Sequence, residues 1–103
     1  MNSVQKGNRN ERKCEVELQS QGWLTERPRR TRFNKIDFFG LFDVMAIHPL
    51  MGVLLVQVKS NRCPKPVREA ISAFKVPTGV FKQIWIWVDR SGWKILSVGN
   101  QTP

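Results

Sequence analysis

The sequence is poor in cysteine and in acidic residues, and it has no long apolar run. Cys14 and Cys63 stand far apart without Cys-x-x-Cys or Cys/His spacing, which argues against a disulfide framework and a zinc site. No apolar run reaches membrane-spanning length, and the N-terminal stretch MNSVQKGNRNERK has no apolar signal-peptide region. We therefore expect a reduced, intracellular protein with no membrane partner, in the cytoplasm or nucleoid, or in the host cytoplasm if the source is viral.

Two common catalytic arrangements are also missing. The single histidine, His48, precedes Pro49 in a turn-like stretch, which favours a turn residue over a catalytic base. No Ser/His/Asp set and no glycine-rich loop suited to phosphate occur in the sequence. Triad-type nucleophilic catalysis and nucleotide binding through such a loop are therefore not predicted.

Basic residues are abundant instead. Lys and Arg number 17 against 8 Asp and Glu, which gives a formal charge of +9 in 103 residues. This balance favours a polyanionic partner, nucleic acid before membrane, because neutralising phosphates releases counterions. The hydrophobic content of 41% indicates a folded chain, so we predict one domain over residues 1–103 with a loose leader at 1–6.

Sequence periodicity predicts an α+β domain with a mixed central sheet. The predicted elements are a helix over 8–21, an extended segment over 23–33, strands over 41–47 and 53–60, a second helix over 66–74, and a closing hairpin of strands 83–89 and 93–99. Their order is αβββαββ. In the 83–89 strand, Trp85 and Trp87 alternate with Ile84, Ile86 and Val88. We expect the apolar surface of one of those two faces to be larger than a single small core can bury. The alternative is that helices pack on both sides of the strand and cover both faces.

The first predicted hairpin gathers polar residues on one side. If Ile47 pairs with Val53, Asp43 lies directly opposite Gln57, and Lys59 points to the same face. Side chains so placed bring two oxygens close enough to share one cation. The opposite face is apolar throughout: Phe42, Val44, Ala46, Leu54, Val56 and Val58. The alternative interpretation is an amphipathic hairpin with one solvent-exposed face.

The pattern Asp43…Gln57-Val58-Lys59 resembles the active-site motif of the PD-(D/E)XK nucleases. The stretch KGNRNER, with Glu11 inside it, and the strand ending QVKS resemble the archaeal Holliday-junction resolvases and related phage enzymes. The motifs cover residues 6–61. The helix and hairpin after them match these enzymes only in the order of their secondary-structure elements. The resemblance implies a restriction-endonuclease-like core. Gln57 departs from the pattern, because most members have an acid there.

What the resemblance implies chemically is phosphodiester hydrolysis assisted by Mg²⁺ or Mn²⁺. The implied metal ligands are Asp43, the side-chain oxygen of Gln57, the Val58 carbonyl and Glu11, the last directly or through water. Lys59 would orient the attacking water or stabilise the transition-state charge. Because an amide brings no charge, metal affinity should be lower than with an acid at position 57.

Glu11 has a structural alternative. Asn8 followed three residues later by Glu11 fits a capping box at a helix N-terminus. However, Glu11, Cys14, Glu15 and Leu18 share one helical stripe, which would turn Glu11 toward the sheet. A rival carboxylate, Asp37, precedes the strand, and we expect it to cap or to pair with an arginine rather than to bind metal.

The expected DNA contacts come from basic residues around the hairpin. They are Lys6, Arg9, Arg12, Arg29, Arg30, Arg32, Lys35 and Arg62. Five basic residues and no acid lie between Arg27 and Lys35, RPRRTRFNK, and a solvated charged face is the ordinary explanation of such a run. No base-reading arrangement is recognisable, so contacts to the backbone and to DNA shape should dominate.

The sequence thus predicts a metal-dependent, structure-selective DNA endonuclease. The leading expectation is a Holliday-junction resolvase that acts as a homodimer on four-way junctions or other branched DNA, because symmetric cutting needs two active sites. A nicking or restriction-type nuclease of the same fold and a catalytically weak nucleic-acid-binding module are the alternatives.

Overall fold

One five-stranded sheet carries a helix on each face. The computed structural model describes residues 3–29 and 36–100, so Arg30, Arg32 and Lys35 lie outside the described residues. The elements are α1 (Ser3–Ser20), β1 (Leu24–Glu26), β2 (Val44–His48), β3 (Gly52–Ser60), α2 (Lys65–Ala73), β4 (Val80–Val88) and β5 (Gly92–Val98). The strands lie in the order β1-β2-β3-β4-β5, with β3 and β4 parallel and the other neighbours antiparallel. The predicted α+β fold with a mixed sheet, in the order αβββαββ, is confirmed.

Several element boundaries differ from the predictions: β4, for example, begins at Val80 rather than at residue 83, and two other differences bear on the candidate site. Helix α1 begins at Ser3 rather than at residue 8, so residues 3–6 are helical and not a loose leader. No proline interrupts this stretch, and a single glycine, Gly7, costs a helix only about 1 kcal/mol. Strand β2 begins at Val44 rather than at residue 41, because Phe38 and Phe42 form an isolated bridge around a tight turn. Gly40, with φ of 70°, supplies the left-handed conformation of that turn.

The two faces of the sheet bury two separate cores. The core between α1 and the sheet consists of Cys14, Leu18, Trp23, Val44, Ala46, Leu54, Val56, Val58 and Trp85. On the α2 face lie Phe42, Leu55, Ile71, Ile84 and Ile86. Strand β4 is therefore covered on both sides, with Trp85 in one core and its isoleucine neighbours in the other. The expectation that this strand carries more apolar surface than the core absorbs was wrong for Ile84, Trp85 and Ile86, which are all buried.

The β2–β3 pairing follows the predicted register as far as Val44. Ile47 pairs with Val53, and the ladder continues to Val44 opposite Val56. The Asp43 N–H then donates to the Val56 carbonyl at 2.8 Å, although Val56 is already the partner of Val44. An extra residue of this kind resembles a β-bulge, which shifts the residues before it to the other face. Phe42 therefore packs on the α2 face, and its predicted place in the opposite core was wrong.

A buried lysine closes the end of α2. Lys82 on β4 is 2% exposed, and its Nζ donates to the carbonyl oxygens of Ile71, Ser72 and Phe74 at 2.7, 3.3 and 2.5 Å. Ile71 and Ser72 belong to the last turn of the helix and Phe74 is its C-cap; the Ile71 carbonyl also accepts the Phe74 N–H at 3.2 Å. Burial lowers the pKa of Lys82 below its ordinary value. No helix within residues 3–29 and 36–100 is long and apolar enough to cross a membrane.

Candidate active site

The Asp43 carboxylate lies buried where β2 and β3 begin to separate. It is 4% exposed, and its Oδ2 accepts the Val58 N–H at 2.9 Å. Because the bulge moves Asp43 out of the regular ladder, the side chain itself takes the backbone donor of β3. The carboxylate is thus held by the main chain of the neighbouring strand. The prediction that Asp43 lies directly opposite Gln57 was wrong by one residue, since its amide bonds to Val56.

Gln57 nevertheless contacts Asp43 through its side chain. With its NH₂ group turned toward the two acceptors that surround it, Nε2 lies 3.3 Å from Asp43 Oδ2 and also donates to the Leu41 carbonyl. The side chain is 7% exposed, so both contacts are shielded from water. The donor end of the amide therefore faces the carboxylate. Its oxygen can face a cation beside Asp43 only after the amide turns.

Glu11 lies on the buried stripe of α1, as the helical spacing predicted. Glu11 is 5% exposed, and Cys14 and Leu18 on the same stripe are 0% and 1% exposed. Because α1 begins at Ser3, Asn8 lies in the helix interior and does not cap it. This position excludes a capping box formed by Asn8 and Glu11.

Three carboxylates lie around the Cys14 thiol. Burial raises the pKa of Cys14 far above its ordinary value, and the charges of Glu15, Asp43 and Glu11 raise it further. A carboxylate acts on a buried thiol in this way only from nearby. The acidic side chains of β2 and α1 therefore approach one another across the core around Cys14.

Arg27 partly neutralises this acidic cluster. Its Nε lies 2.7 Å from Glu15 Oε1, and its terminal nitrogen lies 4.0 Å from Glu11 Oε1. The sequence placed Arg27 within a basic run, but its side chain turns inward to α1. The only signal for this contact was the spacing of Glu11 and Glu15, four residues apart on one helix face.

Lys59 follows Gln57 on the same side of β3, as the alternation predicted. It is half-buried, and its charge and that of Arg68 act on the Cys63 thiol at the start of α2. Burial nevertheless raises the pKa of Cys63 above its ordinary value. Lys59 therefore lies toward the α2 side of the sheet, whereas Glu11 approaches Asp43 from the α1 side.

The donor atoms suit a hard divalent cation in kind. Asp43 and Glu11 offer carboxylates and Gln57 offers an amide oxygen, and oxygen ligands are those that Mg²⁺ prefers. No group of three or more His, Cys, Asp and Glu able to hold a metal occurs in the described part of the chain. The residues thus fit a cation site made of oxygen ligands with little negative charge. The Gln57 amide must turn away from Asp43 before a cation binds there.

The predicted DNA contacts that fall within the described residues are mostly solvent-exposed. Exposed members are Arg9, Arg12, Arg29 and Arg62. Lys6 instead forms an ion pair with Asp89 at 3.4 Å. An unpredicted hydrogen bond from Asn10 Nδ2 to Ser60 Oγ, 2.7 Å long, fixes α1 against the end of β3. This bond places the basic residues of the first half of α1 beside the strand that bears Lys59.

The fold of this chain has a counterpart among solved structures. Among solved structures, the chain is similar to the 1.6 Å resolution structure of Archaeoglobus fulgidus Hjc, a Holliday junction resolvase from an archaeal hyperthermophile. The TM-score is 0.65 at 23% sequence identity, over 89% of this chain and 72% of that one. No protein-family model and no curated protein sequence matches the chain. The likeness therefore establishes the fold.

Proposed function

We propose that this protein is a metal-dependent endonuclease that cleaves branched DNA, with four-way junctions as its principal substrate. One observation carries the proposal: the Asp43 carboxylate is fixed by the Val58 amide beside Gln57, on the strand that continues to Lys59. This arrangement lies on a fold shared with a resolvase. A formal charge of +9 supports a nucleic-acid substrate.

We assign to each residue the role that the motif resemblance implies. Asp43 and Glu11 would hold Mg²⁺ or Mn²⁺, with the Gln57 side-chain oxygen and the Val58 carbonyl as further donors. A divalent cation held by these residues would supply charge neutralisation at the scissile phosphate and would make the attacking water more acidic. Lys59, half-buried on the other side of β3, would orient water or stabilise the developing negative charge. Arg9, Arg12, Arg29 and Arg62, with Lys6, Arg30, Arg32 and Lys35, would contact the DNA backbone.

We also propose a homodimer, because a junction is resolved cleanly only when two strands are cut in one encounter. The burial of β4 within the chain means that this proposal does not rest on excess apolar surface there. Sedimentation at micromolar concentration should give twice the mass of one chain. A monomer that only nicks its substrate would support the nicking alternative.

A catalytically weak DNA-binding module is the second candidate, and one observation favours it. The Gln57 NH₂ group donates to Asp43, so the amide satisfies a carboxylate that a metal would otherwise neutralise. The two candidates differ in what divalent metal does. In the module, metal is irrelevant to DNA binding and no strand is cut.

The experiment compares an end-labelled four-way junction with a linear duplex of matched sequence, in Mg²⁺, in Mn²⁺ and in EDTA. Cleavage of the junction with metal, none in EDTA and slower cleavage of the duplex are expected. Tight junction binding with no cleavage in either metal would establish the binding module instead. Equal cleavage of both substrates would support a restriction-type or nicking nuclease.

A further inference from the structure

Trp87 and Trp93 form an aromatic pair that the proposed chemistry does not use. They are cross-strand partners at the end of the β4–β5 hairpin, with ring centroids 5.2 Å apart and the rings at 78°. Trp93 also contacts Trp85, again at 5.2 Å. Trp85 is 2% exposed, whereas the other two rings are only partly buried. The cluster is thus anchored in the core, and its two outer rings reach the surface.

Basic side chains of α1 surround this pair. Trp87 and Trp93 line a groove of about 1370 Å³ whose α1 wall includes Arg9, Arg12 and Lys13. Lys13 Nζ lies 3.8 Å from the centroid of the Trp87 ring, within the range of a cation–π contact. The acidic residues of the groove are Glu11 and Glu15, which contact Arg27, together with Glu17 and Glu26. Lys13 therefore brings a positive charge to the aromatic pair, and Glu17, four residues further along α1, is the acidic residue on that side of the helix.

The pair adjoins the strand that bears the candidate site. In the parallel β3–β4 register, Lys59 pairs with Ile86 and Ser60 pairs with Trp87. Neighbouring strands are about 4.8 Å apart. The two rings therefore lie beside the end of β3 on the α1 side of the sheet, in the groove that Glu11 also lines.

We propose that Trp87 and Trp93, with Lys13, Arg9 and Arg12 around them, form a stacking site for an unpaired nucleobase. This inference rests on the proposed function, because it assigns the substrate feature that the branched-DNA site recognises. A base stacks on an aromatic side chain whatever its sequence, and adjacent cations neutralise the phosphates on either side of it. A paired base within a duplex has both faces covered by its neighbours. The site therefore favours single-stranded or disrupted segments such as those at a branch.

Affinity measurements in EDTA test the proposal without cleavage. Fluorescence anisotropy would compare Trp93→Ala with wild type on a single-stranded oligonucleotide and on a fully paired duplex at one salt concentration. Trp93→Ala should bind the single strand about tenfold more weakly, the equivalent of about 1.4 kcal/mol, and the duplex within about twofold of wild type. Trp93→Phe, which keeps an aromatic face, should recover most of the loss.

Ile95→Ala is the matched control. Ile95 is 45% exposed and lies two residues along β5 from Trp93, on the same face of the sheet. It should leave both affinities unchanged. Equal losses on single strand and duplex, or equal losses from the two alanine variants, would overturn the stacking site. A change in sedimentation with Trp93→Ala would overturn it in favour of an interface between copies of the chain.

Tryptophan emission of the wild-type protein provides a second measurement that needs no variant. A single-stranded oligonucleotide should quench the emission, because a base stacked on an indole ring provides a route for energy loss, whereas duplex at the same occupancy should quench it far less. Equal quenching by the two would contradict the proposal even if Trp93→Ala fails to fold. Both experiments are done without metal. If the junction assay shows no cleavage, the nuclease assignment fails, but the binding and quenching results still test the stacking site.

Discussion

Replacing Gln57 by glutamate tests the contact at the centre of the candidate site. With its NH₂ group assigned to the side of its two acceptor neighbours, the Gln57 amide donates to Asp43 Oδ2 at 3.3 Å and to the Leu41 carbonyl. Gln57→Glu removes both donors and brings a second carboxylate against the first. With two carboxylates side by side, the variant site then depends on a cation for its stability.

The magnitude follows from the geometry. Two unit charges about 4 Å apart interact by about 4 kcal/mol at an effective dielectric constant of 20. The glutamate can instead take up a proton, which at pH 7 costs about 3.7 kcal/mol from its ordinary pKa of about 4.3. The cheaper of the two states is populated, so we expect Gln57→Glu to lower the free energy of unfolding by about 3.7 kcal/mol in EDTA at pH 7. For a domain of this size, the melting temperature should fall by roughly 15–30 °C.

Saturating Mg²⁺ should reverse much of that loss, because a ligand that binds only the folded state stabilises it. Wild type should show a smaller shift, since Mg²⁺ must first displace the Gln57 amide from Asp43. The metal concentration for half-maximal cleavage should also fall in Gln57→Glu. Melting followed by circular dichroism in EDTA and across a Mg²⁺ series measures the stability changes.

Gln83→Glu is the matched control for this substitution. The Gln83 side-chain oxygen accepts the Trp85 indole N–H at 2.9 Å, which a carboxylate accepts equally well. This variant should melt close to wild type with and without metal. If Gln57→Glu behaves in the same way as Gln83→Glu, the hydrogen bond between Gln57 and Asp43 does not control the site, and the prediction is refuted.

Two further predictions concern the basic segment and the thiols. Replacing Arg29, Arg30 and Arg32 together by alanine should weaken junction binding. It should also reduce the slope of log affinity against log salt concentration by about 0.9 for each phosphate that is no longer neutralised, which titrations at several salt concentrations measure. Weaker binding with an unchanged slope would contradict a phosphate-binding role. Cys63 should react with a thiol reagent well before Cys14 in the folded protein, because Cys14 is 0% exposed and burial raises its pKa far more. Mass spectrometry of partly labelled protein would identify the modified cysteine, and early labelling of Cys14 would contradict its burial.

The alternation of apolar residues was sufficient to predict the sheet. Alternation in β4 placed Trp85 and Ile84 on opposite faces, and both cores are found there. It was also sufficient for the β2–β3 register as far as Val44. Alternation has a period of two residues, so an inserted residue is invisible to it. The irregular pairing at Asp43 therefore escaped prediction, and with it the position of Phe42.

The candidate site was predictable in composition but not in contacts. The spacing along α1 was enough to place Glu11 on the buried stripe with Cys14. The inward turn of Arg27 and the orientation of the Gln57 amide depend on partners far away in sequence. Sequence patterns report which face a side chain occupies and say little about which atom of a remote residue it meets.

Cleavage of a four-way junction by Asp43→Asn is the measurement that tests the central claim most directly. Asparagine keeps one side-chain oxygen to accept the Val58 N–H, while it removes the charge and turns the other oxygen into an NH₂ group. Asp37→Asn serves as a control at the rival carboxylate. We predict that Asp43→Asn abolishes metal-dependent cleavage, that its junction affinity in EDTA is equal to or greater than that of wild type, and that Asp37→Asn cleaves normally. Full cleavage by a folded Asp43→Asn protein would contradict the assignment of this active site.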